Sequence, residues 1–249
     1  RSPPPTCPFG APSAWGNGLP MQTLPTSKRP RLVRIGPWLF VGGTLLACLA
    51  GYINVTLLDF FHVPVSHMSG AVSRLSIDLG TSNLEDLSLV STIVGAFLSG
   101  SVLSGLIIGK RTFRPGRRYG LVMMLEGLLL GAAAWMLSTG NRFGLPLASL
   151  ACGLQNAMAS SYYGLVLRTT HVTGMVTDIG LHIGQWIRHR RGEPQKILLL
   201  ASLLCGFFAG GLAAATAHSI LGSPSLYLPA TVCFCSGLAY FVWRKSRRG

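Results

Sequence analysis

The sequence predicts an all-α polytopic membrane protein: six transmembrane helices forming two inverted three-helix repeats, each with a broken or re-entrant motif helix. Three observations predict it. Apolar runs long enough to cross a bilayer recur along the 249 residues. Lys and Arg gather in clusters beside those runs. A polar motif occurs twice: His67-Met-Ser-Gly70-Ala-Val-Ser73 returns as His171-Val-Thr-Gly174-Met-Val-Thr177. Upstream of each copy, Gly51-Tyr-Ile-Asn54 is matched by Gly153-Leu-Gln-Asn156. Each half reads G-x-x-N, a gap, then H-x-[ST]-G-x-V-[ST], and motifs duplicated in one order point to two halves built around a shared site.

Composition sets the class. Hydrophobic residues make up 49% of the chain and charged residues 11%, the balance of a membrane protein rather than a soluble domain. The net charge of +14, from 21 Lys and Arg against 7 Asp and Glu, would also suit nucleic acid. The basic residues flank apolar spans, so the lipid bilayer is the expected partner and nucleic acid is not. Cys48, Cys152, Cys205, Cys233 and Cys235 lie inside apolar runs, where cysteine acts as a small hydrophobe rather than as part of a disulfide framework. No nucleophile elbow, phosphate loop, dinucleotide fingerprint or zinc-protease motif is present, so neither an enzyme nor a cofactor is expected.

Taken in order, residues 1–36 read as a disordered segment, because Pro3, Pro4, Pro5, Pro8, Pro12 and Pro20 prevent a packed element. Residues 1–20, ahead of Met21, are expected to be a tail or an over-extended reading frame, with a transit peptide as the alternative. Span one covers 37–60, with Pro37 suited to a first helical turn and Trp38 to the membrane interface. Motif one fills 62–83. Span two, 84–109, opens on Glu85 and Asp86, which favour a helix N-terminus. Spans three and four are 119–138 and 145–167, and motif two fills 168–195. Spans five and six are 197–218 and 224–243, the last closed by Trp243, Arg244 and Lys245. The first membrane repeat is then 37–138 and the second 139–249, with a short basic tail. Neither motif segment is long or apolar enough for an ordinary span.

Charge orients these spans. Basic clusters at 28–34, 110–118, 168–196 and 244–248 all fall on one side of a six-span chain, which the positive-inside rule makes cytoplasmic. Both termini are then cytoplasmic. Three spans per half invert the second repeat against the first, so motif one enters from outside and motif two from the cytoplasm, towards a midplane site.

Within the motifs, Ser69 and Thr173 have the chemistry of helix N-caps. Gly70 and Gly174 follow, removing bulk where a ligand or another backbone comes close. A helix starting there presents free N–H groups and the positive dipole end, which attract an anion or a carbonyl dipole. Substrate contacts are expected from Asn54, His67, Ser69, Gly70, Gln155, Asn156, His171, Thr173 and Gly174. A polar stripe continues along each motif helix: His67, Arg74 and Asp78 in one, His171, Asp178 and His182 in the other. Arg74 and Asp178 occupy equivalent positions with opposite charge, so bridges from Arg74 to Asp178 and from Asp78 to His182 are expected if the stripes are buried. At the interface they would be hydrated instead. Glu126 lies well inside span three, as a proton-coupling carboxyl or as a neutral acid bonded to a neighbouring helix. His171, Asp178 and His182 lack metal-ligand spacing, so no metal is expected. The spacings Gly95-x-x-x-Ser99, Ser101-x-x-x-Gly105, Gly127-x-x-x-Gly131 and Gly206-x-x-x-Gly210 are expected to pack helices within the chain first and in a homo-oligomer second.

Gly51-Tyr-Ile-Asn54, His67-Met-Ser-Gly70, Gly153-Leu-Gln-Asn156 and Thr169-Thr-His-Val-Thr-Gly174 followed by Thr177-Asp178 resemble the YoaK-like family of bacterial membrane proteins, domain of unknown function 1275, over roughly residues 36–245. In motif one the family pattern has an acid where Asn54 stands and Asn where Ala71 stands. The resemblance implies six helices in a bacterial inner membrane and supplies no substrate. From the residues alone, a small secondary transporter or channel for a small polar or anionic solute is the first expectation. A non-transporting scaffold or sensor is the alternative.

Overall fold

The computed structural model describes residues 37–61, 65–109, 116–161, 170–190 and 192–246. The N-terminal segment expected to be disordered lies outside the described residues. Every element among them is helical: α1 (Pro37–Phe61), α2 (Met68–Gly80), α3 (Leu84–Ile108), α4 (Arg117–Ser138), α5 (Gly144–Ser161), α6 (Val172–His189), α7 (Pro194–Leu221) and α8 (Tyr227–Ser246), the last entered through a 3-10 turn at Ser223–Leu226.

Five helices, α1, α3, α4, α7 and α8, are long and apolar enough to cross a membrane. Their outward side chains include Leu45, Leu98, Leu106, Trp135 and Phe208, all largely exposed. Water would not tolerate so much open apolar surface, whereas lipid requires it, and helices satisfy their own backbone groups there. The local signals agree with this placement. Pro37 opens α1, where a missing N–H costs nothing. The Asn83 side chain caps α3, accepting from the Asp86 amide at 3.4 Å. α3 stops at Gly109, whose φ of +72° suits glycine. At the far end, the Arg244 guanidinium lies 5.4 Å from the Trp243 ring centroid, a basic–aromatic pair suited to the interface.

The fourth expected span is met by α5 as far as Ser161, and the remainder lies outside the described residues. This helix is less apolar than the five because it is the most enclosed. Gly144, Ala148, Ser149, Cys152, Gly153 and Gln155 are all buried against protein. Its polar groups find protein partners: the Ser149 hydroxyl donates to the Ile93 carbonyl at 2.8 Å and the Gln155 amide to the Leu46 carbonyl at 3.4 Å.

Three long pairings build the core: α1 on α7, α3 on α5, and α4 on α8, with α4 also against α5. The short helices lie outside them, α2 on α3 and α6 on α7. The pairings are matched between the halves. A Cβ at Gly51 would fall on the Phe207 carbonyl, and one at Gly153 on the Phe97 carbonyl. A Cβ at Gly100 would fall on the Leu150 carbonyl, and one at Gly210 on the Cys48 carbonyl. Cys48 stands six residues before Asn54, as Leu150 does before Asn156. Of the expected small-residue seams, Gly206 and Gly210 pack on α1 and Gly127 packs on α8, whereas Gly95, Gly105 and Gly131 meet nothing within 4 Å and face outward. The Leu130, Ile93, Leu145 and Leu226 core lies where α3, α4, α5 and the 3-10 turn meet.

Candidate functional site

The two motifs meet. A cavity of about 500 Å³ is lined by Ser66–Ser69 from the first motif and Thr170–Thr173 from the second. Among the described residues, Phe97 and Ser101 of α3 and Asn156, Ala157 and Ser160 of α5 also line it.

The G-x-x-N segments hold the motifs in place. The buried Ser66 hydroxyl donates to Asn54 Oδ1 at 2.5 Å, and the Thr170 hydroxyl donates to Asn156 Oδ1 at 2.8 Å. The same bond in both halves explains why the two motifs recur together: the asparagine on a long helix pins the hydroxyl residue just ahead of the histidine. The glycine three residues earlier lets that long helix approach its partner closely enough to bring the asparagine there.

Each motif helix begins two residues earlier than the N-cap chemistry of Ser69 and Thr173 predicts. His67 and His171 hold the N-cap positions, with no side-chain capping bond, and Ser69 and Thr173 sit in the first turn. The first closed turns run from Ala71 N to His67 O at 3.1 Å and from Met175 N to His171 O at 3.0 Å. The amides of 68–70 and 172–174 therefore precede the intrahelical ladder, and two positive helix ends border one cavity. A Cβ at Gly174 would strike the His171 ring, which folds back over the first turn of α6. Gly174 thus makes room for an imidazole rather than touching a ligand itself. His67 is half-buried, edge-on to Phe207 with ring centroids 6.1 Å apart. Burial first, and the neighbouring His171 second, hold the His67 imidazole below the ordinary histidine range.

Of the expected substrate residues, His67, Ser69, Asn156, His171 and Thr173 line the cavity. Asn54 and Gln155 do not: the first holds Ser66, and the second faces α1. Sequence reasoning missed Ser66 and Thr170, although both precede the paired histidines with a hydroxyl. It also missed Phe97 and Ser101, although Phe97-x-x-Gly100 is echoed by Phe207-x-x-Gly210.

The expected bridges across the halves are not formed. Arg74 pairs within its own half, with Asp78 at 3.0 Å and Asp86 at 3.2 Å. Asp178 is exposed, and among the described residues it makes no ion pair. The reason is geometric. The two motif helices share a cavity only at their first turns and do not pack on each other further along. Seven residues of helix carry Arg74 about 10 Å away from the meeting point. Asp78 is 1% exposed, so its bridge lies at the contact of α2 with α3 rather than in water. Glu126 is fully buried but does not line the cavity. Its Oε1 accepts from the Cys233 thiol of α8 at 3.5 Å, and its Oε2 has no partner among the described residues.

Long apolar helices with outward lipid-compatible faces, packed in matched pairs beside a cavity lined by two histidines and several hydroxyls, define a helical integral membrane protein. The profile of the family described as "Protein of unknown function (DUF1275)" matches residues 42–239, and the chain belongs to that family. No curated protein and no solved structure matches it.

Proposed function

We propose that the protein is a small secondary transporter or channel for a small polar or anionic solute, bound where the two motifs meet. The observation that carries this reading is the convergence of two helix N-termini from different halves on one cavity whose lining, among the described residues, holds two imidazoles and several hydroxyls and no carboxylate. Half-length helices whose positive ends face a midplane site are a recurrent solution to binding polar solutes in a bilayer. Six spans and an inverted second half fit this reading. With α5 as a sixth crossing and the four basic clusters on one side, α2 and α6 enter the membrane from opposite faces in this reading. With that charge distribution both termini are cytoplasmic.

The test is uptake into proteoliposomes of a panel of small inorganic anions, carboxylates and neutral polar solutes. Wild-type protein should take up at least one class, and His67→Ala and His171→Ala should each lose that uptake while remaining monodisperse. Uptake of none, together with melting temperatures unmoved by every solute in the panel, would leave a scaffold whose halves merely pack.

A further inference from the structure

The two halves are built alike but are not in the same state. On the α3–α5 side, Phe97, Ser101, Ala157 and Ser160 line the cavity. The equivalent surface between α1 and α7 contributes no residue to that lining among the described residues. Phe207 lies edge-on to His67, and Gly211, which stands where Ser101 stands, is so close to Val55 that a Cβ would be 2.8 Å from its methyl. Val55 follows Asn54 as Ala157 follows Asn156.

The ion pairs differ in the same sense. In the first half Arg74 ties α2 to the start of α3 through Asp86. The second half carries the equivalent positions with the charges reversed: Asp178 on α6 for Arg74, and Lys196 at the start of α7 for Asp86. That second latch is undone. Asp178 has no ion pair among the described residues, and Lys196 is engaged by Glu193. The closed latch lies at the α2–α3 end. The undone latch lies at the α6–α7 end, which by the basic clusters is the cytoplasmic side, as is the C-terminal end of α5, whose Ser160 lines the cavity.

Building on the transport reading, we infer that the protein is an alternating-access carrier rather than a pore: Arg74–Asp86 and Asp178–Lys196 are latches that close in turn, and the structure is the form with the first closed. Exchange of the two halves' conformations moves the opening from the Ala157–Ser160 route to the Val55 route.

The test needs no known solute. Ser160→Cys and Val55→Cys, made separately, are treated in proteoliposomes with a membrane-impermeant maleimide, and labelling above that of the native cysteines is read by intact mass. Each is then combined with Asp86→Asn or with Lys196→Gln, mild changes that remove one latch and keep the side-chain shape. Alternation predicts opposite movement. Asp86→Asn should raise labelling at position 55 and lower it at position 160, and Lys196→Gln should do the reverse. Each shift should be roughly two- to fivefold, the range over which losing one partly exposed ion pair moves a two-state equilibrium. Labelling that changes independently, or rises together, at the two positions would overturn the carrier and leave a wet pore, with the transport reading intact. No labelling of Ser160→Cys until the protein is unfolded in detergent would mean a dry centre, and both readings would fall.

Discussion

Gly174 shows how a single residue can serve a site without touching a ligand. Its missing side chain is where the His171 ring lies. Gly174→Ala should therefore act on the imidazole: the exposed ring can rotate away cheaply, so stability should change by less than about 1 kcal/mol. Uptake or ligand stabilisation should fall as far as in His171→Ala. Equal activity of wild type and Gly174→Ala in the same preparation would remove the ring's position from the mechanism. The Asn54–Ser66 pair acts differently, since both partners are buried. Asn54→Ala leaves a buried hydroxyl unpaired and should cost about 1–3 kcal/mol. Adding Ser66→Ala should then cost little more, which a double-mutant cycle in detergent melting would read as coupling. Arg74 belongs to the same scale. Arg74→Ala strands Asp78 in a buried position and should destabilise by up to about 3–5 kcal/mol, less to the extent that Arg74 itself is solvated. In cycles, Arg74 and Asp78 should couple, and additive losses would contradict their ion pair.

At the scale of helices, the informative contrast lies within α3. Gly100 rests against the α5 backbone, and Gly95, little more than one turn away, meets nothing within 4 Å. Gly100→Ala should push α3 from α5 and cost about 1–3 kcal/mol or more, as overpacking does. Gly95→Ala should be neutral or slightly stabilising. Equal melting temperatures for the two variants would mean that the α3–α5 contact is looser than described. The spacing patterns alone could not separate these glycines. A stripe of small residues marks a helix face, but which face meets protein is decided by the partner helix. That partner is 50 residues away in sequence for Gly100 and absent for Gly95. The same limit explains the misplaced bridges. Equivalence of Arg74 and Asp178 was legible from the repeat. That the two motif helices diverge after their first turns was not, because divergence is set by their separate docking on α3 and α7. What the chain did disclose was the pairing of G-x-x-N with H-x-[ST]-G, and the bond between Asn and the hydroxyl ahead of His supplies the physical reason for it. The start of each motif helix was displaced by the preference of Ser and Thr for caps, which here gave way to a histidine held by its neighbour's bond.

For the molecule as a whole, the charge clusters make a prediction independent of any solute. The turn between α2 and α3 and the start of α7 should lie on opposite sides of the membrane. Single cysteines at Ser82 and Gln195, both exposed, should therefore label from opposite sides in oriented vesicles. Labelling from one side would remove the six-span arrangement and the inversion of the second half with it. Five of the six expected spans were legible as long apolar helices because lipid-facing surface leaves a continuous hydrophobic run. The central helix α5 was legible in position but not in character. Its surroundings are protein, and polar residues that would be excluded from lipid, such as Gln155, are satisfied there.

The close backbone contacts at Gly51, Gly100, Gly153 and Gly210 have a mechanical consequence. Where side chains interdigitate, tilting one helix against another means unlocking knobs from holes. Where main chain lies directly on main chain, there are no knobs to unlock. Such a crossing can serve as a fulcrum. Gly51 under Phe207 and Gly153 under Phe97 place one fulcrum in each pairing of the two halves, close to the cavity. The ends of α3 and α7 lie a dozen or so residues away, about 18 Å at the helical rise, so a tilt of about 10° would swing them through roughly 3 Å. That travel is enough to make or break an ion pair at the helix end while the residues at the fulcrum hardly move. A bulky residue at Gly51 or Gly153 would then act less like a plug in a channel and more like grit in a bearing.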